Sequence, residues 1–85
     1  MSNYSILYAK EAFRDIGLLP PKQVAKFKKI LEEVISKKPK LGKRLKGDMQ
    51  GYYSLRLSIK DRILYSTDDE KKIIYVRRVR THYGD

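Results

Sequence analysis

A chain of 85 residues with 20 lysines and arginines against 10 acidic residues, a formal net charge of +10, has room for one small core and a surface that repels itself unless an anionic partner covers it. It has no cysteine and one histidine, which excludes disulfides, thiolate catalysis and zinc-ribbon sites and argues against a structural metal. No apolar run approaches the roughly 20 residues of a membrane span, and the first residues lack the basic-then-apolar pattern of a secretory signal, so we expect a cytoplasmic protein whose partner is nucleic acid and not a membrane.

Tyr4, Ile6 and Tyr8 alternate with polar or smaller neighbours, which predicts a short strand over residues 4–8 with those three on one face. Residues 9–16 favour a helix that Gly17 stops. Leu18-Leu19-Pro20-Pro21 then forms a corner, and proline suits the first position of the next helix. Over residues 22–36, Val24, Phe27, Leu31 and Val34 fall at helical spacing with Ile30 and Ile35 beside them, while lysines and glutamates fill the other positions. This is an amphipathic helix with one buried stripe. Pro39 and Gly42 end it, and a basic loop over residues 37–47 follows, carrying Lys43, Arg44 and Lys46.

The second half changes period. Tyr53, Leu55, Leu57 and Ile59 alternate with Tyr52, Ser54, Arg56 and Ser58, the mark of a strand with one covered face. A second strand over residues 62–67 follows through Lys60-Asp61, and a turn over residues 68–71 leads to a third over residues 72–79. The expected fold is α+β, a single domain over residues 1–85 with order β-α-α-β-β-β. Connections so short make the last three strands an antiparallel meander, with both helices on one face and the other face open. The chain shows no repeat, low-complexity segment or linker.

On that open face Arg56, Arg62, Arg78, Arg80 and His82 share parity, provided the alternation survives to the chain end. Guanidinium groups grip phosphate in bidentate fashion, and Tyr52, Tyr83 and Tyr53 offer rings on which unpaired bases stack. The bland reading is a solvated face, and we assign Arg77 to it. Tyr65 and Tyr75 read as core or rim packing. His82 stands out because it alone titrates near neutrality and it sits beside Tyr83 and the arginines. The run Arg77-Arg78-Val79-Arg80-Thr81-His82-Tyr83 thus combines groups that hold a phosphate with one that moves a proton.

The stretch from Leu45-Lys46-Gly47 through Gly51-Tyr52-Tyr53-Ser54-Leu55-Arg56-Leu57, then Asp61-Arg62-Ile63-Leu64-Tyr65 and the Arg80-Thr81-His82-Tyr83 end, resembles the RelE/ParE superfamily of toxin–antitoxin toxins. The resemblance covers nearly the whole chain, and order and spacing carry it more than any single motif. Its nearest branch is the RelE-like and YoeB-like mRNA interferases, which implies a metal-independent, ribosome-dependent endoribonuclease without cofactor. It also implies a cognate antitoxin, acidic and partly disordered alone, with translated mRNA and ribosomal RNA as further partners. His82 and Tyr83 match a YoeB-like active-site pair, Arg62 matches the phosphate-holding arginine, and Arg56 and Lys46 fall where related toxins place basic active-site residues. Lys43 stands where a YoeB-like chain has its proposed general base, a glutamate, so the resemblance supplies no base.

The chemistry so implied is attack of a ribose 2′-hydroxyl on the adjacent phosphorus, giving a 2′,3′-cyclic phosphate and a 5′-hydroxyl. Arg62 with Arg56, and with either Arg80 or Arg78, would stabilise the phosphorane, and His82 would protonate the leaving oxygen. Lys46 or Lys43 would assist with the 2′ proton, and Tyr83 would orient a base or the phosphate. Lys43, Arg44, Arg78 and Tyr52 complete the expected RNA-binding set. Two other readings stay open: a ParE-like gyrase poison without nuclease activity, and a non-catalytic basic nucleic-acid binder. The His82-Tyr83 end favours the nuclease.

Overall fold

The structure is a computed structural model that describes residues 4–57 and 61–81, with Met49, Arg80 and Thr81 described by their backbone alone. Its elements in chain order are β1 (Ser5–Tyr8), α1 (Lys10–Gly17), α2 (Pro21–Ile30) running on into a π-helical turn (Leu31–Ile35), β2 (Lys43–Arg44), a 3₁₀ turn (Gly47–Met49), β3 (Tyr52–Arg56), β4 (Asp61–Asp68) and β5 (Ile73–Thr81). The expected helix over residues 22–36 therefore ends in a wider turn, where the Ser36 N–H reaches back five residues to the Leu31 carbonyl at 2.9 Å.

The strands form one five-stranded sheet in the order β1-β5-β4-β3-β2. The expected antiparallel meander is present as β3, β4 and β5. Two features extend it. β2, two residues of the basic loop, pairs antiparallel with the free edge of β3. β1 pairs with β5 in parallel, which requires a long crossover, and the two helices form that crossover.

Both helices lie against one face. Phe27, Leu31 and Ile35 of the amphipathic stripe and Ala12 of α1 are fully buried against Tyr53, Leu57, Ile63, Tyr65, Ile74, Val76 and Val79. Tyr4, Ile6, Tyr8 and Leu55 pack against that core from the positions their alternation predicts. Ile59 lies outside the described residues.

A β-bulge decides what the end of β5 presents. Leu64 pairs with Arg78 but Tyr65 pairs with Val76, so Arg77 is an extra residue. Ile74 and Val76 face the core before it and Val79 faces the core after it. Without that extra residue, strict alternation from Ile74 and Val76 would send Arg78 and Arg80 inward and Val79 outward. β1 stops level with Val76, so the rest of β5 has an edge that no described strand covers. α1 closes part of it: Asp15 accepts the Val79 N–H at 3.0 Å and two guanidinium hydrogen bonds from Arg78, at 2.8 and 3.2 Å. No described helix is long and apolar enough to cross a membrane.

Candidate active site

Three arginines occupy one register row across neighbouring strands: Arg56 of β3 pairs with Arg62 of β4, and Arg62 pairs with Arg80 of β5. Arg56 and Arg62 are exposed on the face away from the helices. Residues directly opposite in antiparallel strands have Cβ atoms about 5 Å apart, and like charges in such positions cost stability. Guanidinium groups suit the oxygens of a phosphodiester, so the exposed Arg56 and Arg62 make this end of the open face a candidate anion site, with the Arg80 backbone in the same row.

Arg78 keeps the expected parity with Arg80, but its side chain is held by an acid of α1. It pairs in register with Leu64, one step from the arginine row, but its guanidinium is engaged with the carboxylate of Asp15. At backbone level Arg80 shares the row with Arg62, while Arg78 is engaged at the α1–β5 junction. The cause is Asp15, a lone acid on the buried side of α1 between Ala12 and Ile16, which the reading of α1 as a plain helix did not use.

On the other side of the row the β2 loop brings its basic groups to the edge of β3. Lys43 is exposed and pairs with Ser54, next to Arg56 along the strand, and Arg44 is exposed opposite Tyr53. Lys46 is exposed just before the 3₁₀ turn, where the Leu45 N–H donates to the Tyr52 carbonyl at 3.0 Å and ties the loop to β3. Gly51, at φ 94°, occupies a backbone region that side chains disfavour and turns the chain into β3. The basic loop thus runs along the edge of β3, with Lys43 nearest the arginine row and Lys46 beyond Tyr52 at the other end of the strand.

The tyrosines divide by face. Tyr53 is buried and stacked on Tyr65, ring centroids 5.5 Å apart, so it is not available to a base. Tyr65 accepts the Gly42 N–H at 3.0 Å on its phenol oxygen. Burial pushes that phenol above its ordinary value, and the Gly42 hydrogen bond pulls it part of the way back. Tyr52 is half-buried on the open face with the Arg77 guanidinium 5.9 Å from its ring centroid. Arg77, assigned from sequence to a solvated face, is exposed as expected, with its guanidinium beside that ring.

No protein-family model matches the sequence, and no curated protein matches it. Solved structures do. A chain of the RelBE2 toxin–antitoxin complex from Mycobacterium tuberculosis superposes with a TM-score of 0.84 at 30% identity, over 94% of this chain and 99% of that one. The chain belongs to the RelE/YoeB-like toxin family. This RelE/YoeB-like toxin is also similar to the YoeB–YefM complex from Staphylococcus aureus, with TM-score 0.77 and 29% identity over 96% of this chain and all of that one. The intact Escherichia coli RelBE complex gives 0.79 and 25% over 94% and 98%. The α+β fold read from the sequence is that of the family.

Of the residues the sequence nominates, the toxin fold brings Arg56, Arg62 and the backbone of Arg80 into one row, with Lys43 opposite Ser54, two residues from Arg56, and with Tyr52 and Lys46 at the other end of β3. Arg44 pairs with Tyr53, three residues from Arg56, and Arg78 is held by Asp15. His82 and Tyr83 lie outside the described residues; in the sequence they come two and three positions after Arg80.

Proposed function

We propose that this RelE/YoeB-like toxin is a ribosome-dependent, metal-independent endoribonuclease that cuts translated mRNA in the cytoplasm and is neutralised by a cognate antitoxin. The observation that carries the reading is the register row of Arg56, Arg62 and Arg80 across β3, β4 and β5, in which Arg56 and Arg62 are exposed on the open face. The ribose 2′ oxygen attacks the adjacent phosphorus, the bond from phosphorus to the 5′ oxygen breaks, and a 2′,3′-cyclic phosphate remains. Arg62 flanked by Arg56 and Arg80 meets the charge that builds on the non-bridging oxygens, the type of interaction whose loss usually costs most. His82 donates the proton that the departing 5′ oxygen takes up, because its ordinary pKa lies closest to the working pH. Lys46 or Lys43 assists with removal of the 2′ proton, Lys43 being the nearer of the two to the row. Tyr83 orients the bound strand.

Charge dictates the partners. A +10 domain docks on ribosomal RNA, and a free basic nuclease needs restraint, which an acidic antitoxin segment supplies by folding onto it. The complexes found for RelBE2, YoeB and RelBE toxins support that partner.

The test adds the protein to a translating extract and to the same mRNA without ribosomes, maps the new 5′ ends, and runs a gyrase supercoiling assay beside it. Ends at fixed codon positions that require ribosomes are expected. Inhibited supercoiling without new ends would select the gyrase-directed reading, and neither effect would leave a basic binder. His82→Gln should lower the cleavage rate by roughly two to four orders of magnitude.

A further inference from the structure

The open face carries a second register row beyond the arginines. Leu7 of β1 pairs with Tyr75 of β5, Tyr75 with Ser66 of β4, and Ser66 with Tyr52 of β3. Leu7 is 48% exposed, and Tyr75, Ser66 and Tyr52 are each partly exposed. Two tyrosines thus flank a serine small enough to leave the sheet surface low between them. The bulge then adds Arg77, whose guanidinium reaches across β4 to lie 5.9 Å from the Tyr52 ring centroid. A planar cation held near an aromatic ring on an otherwise basic face is the arrangement that grips a nucleobase, because bases stack on phenol rings and on guanidinium planes alike.

From this geometry we infer that Tyr52 and Arg77 form a slot for one unpaired base of the RNA strand whose phosphate lies on the arginine row. The inference rests on the nuclease reading for the identity of that strand. Tyr52 lies four residues from Arg56 on the same strand, about 13 Å away, so the slot takes a base from a flanking nucleotide. Seating a base between ring and guanidinium requires two contact distances, about 7 Å in all, so Arg77 lifts by roughly 1 Å and exchanges a ring contact for a base contact. Tyr75 and Leu7 continue the shelf for the next base outward. The occupant is single-stranded, since a paired base has no free faces, and the slot selects for a base in one register of the strand with little regard to which base it is.

The experiment measures the affinity of the folded toxin for a 2′-O-methylated oligoadenylate, which cannot be cleaved by 2′ attack, and for the same strand with single abasic positions. Wild type should lose affinity at one abasic position in particular. Tyr52→Leu should weaken the intact strand by roughly tenfold or more and remove the sensitivity to that position, with Tyr52→Phe close to wild type and Arg77→Gln intermediate. Thermal melts of each variant establish that it is folded. If Tyr52→Leu and Arg77→Gln bind and discriminate as wild type does, or wild type shows no affinity or no abasic sensitivity, the slot is overturned. Ribosome-dependent cleavage is measured on the same proteins. Cleavage by a Tyr52→Leu variant with unchanged rate and unchanged affinity overturns the slot and leaves the nuclease standing. Tyr52-dependent binding without any cleavage keeps the slot and removes the nuclease.

Discussion

Asp15 and Arg78 show how a charged residue in a candidate site can belong to the frame instead. Asp15 is buried and accepts hydrogen bonds from the Val79 N–H and from Arg78, on a strand edge that β1 leaves uncovered. Replacing Asp15 with Ala strands a buried backbone donor and a half-exposed guanidinium that water partly satisfies, so chemical denaturation should report a loss of about 1–3 kcal/mol. Gly42 is a second such residue. A Cβ there would stand 2.7 Å from the Tyr65 phenol oxygen and 3.0 Å from the Ser54 carbonyl, and the buried, stacked Tyr65 ring has little room to retreat. Gly42→Ala should destabilise by about 1–3 kcal/mol through that overpacking, and a variant as stable as wild type would show that the loop gives way. At this scale the sequence revealed Arg56 and Arg62, because strand alternation places an arginine among apolar positions. It hid Asp15 and the Gly42–Tyr65 contact, whose partners are 64 and 23 residues away.

The elements were legible wherever one periodicity ran unbroken. Alternation placed β1 and β4 to within a residue and the start of β3, whose expected end at Ser58 and Ile59 lies outside the described residues, and the helical stripe placed α2. The bulge at Arg77 was not legible, since an extra residue in a strand leaves the local pattern intact and shifts only the residues beyond it. The parallel seat of β1 depends on where the helices return the chain, which no local signal encodes. One cluster fastens three of these elements together: Tyr4 just before β1 donates to Asp69 in the β4–β5 turn at 2.9 Å, and Lys40 of the basic loop reaches the same carboxylate at 2.8 Å. The hydrogen bonds from Lys40 and Tyr4 hold the Asp69 carboxyl below its usual value. In the unfolded chain that carboxyl binds its proton at higher pH. The contribution is therefore complete above the ordinary aspartate value and is lost as pH falls through the lowered one. Asp69→Asn should flatten stability across that acidic window, by a small amount because the groups are exposed. An unchanged acid-side slope in the variant would remove the cluster from the account.

For the whole molecule, the fold gathers dispersed residues into two register rows across the sheet, Arg56, Arg62 and Arg80 in one and Tyr52, Ser66, Tyr75 and Leu7 in the other, four residues away along β3. The composition pointed to an anionic partner and the resemblance to a toxin family, and structural similarity to RelE and YoeB structures established that family where no family model does. What the sequence could not arrange was the pairing of Arg80 with Arg62, which depends on the bulge. The central claim is that this row acts on a phosphodiester during cleavage. It is tested most directly by the single-turnover rate of mRNA cutting on programmed ribosomes for wild type and Arg62→Gln, with ribosome binding measured on the same samples. The account predicts a loss of roughly two to three orders of magnitude in rate with binding nearly retained. Equal rates for the two proteins would contradict it.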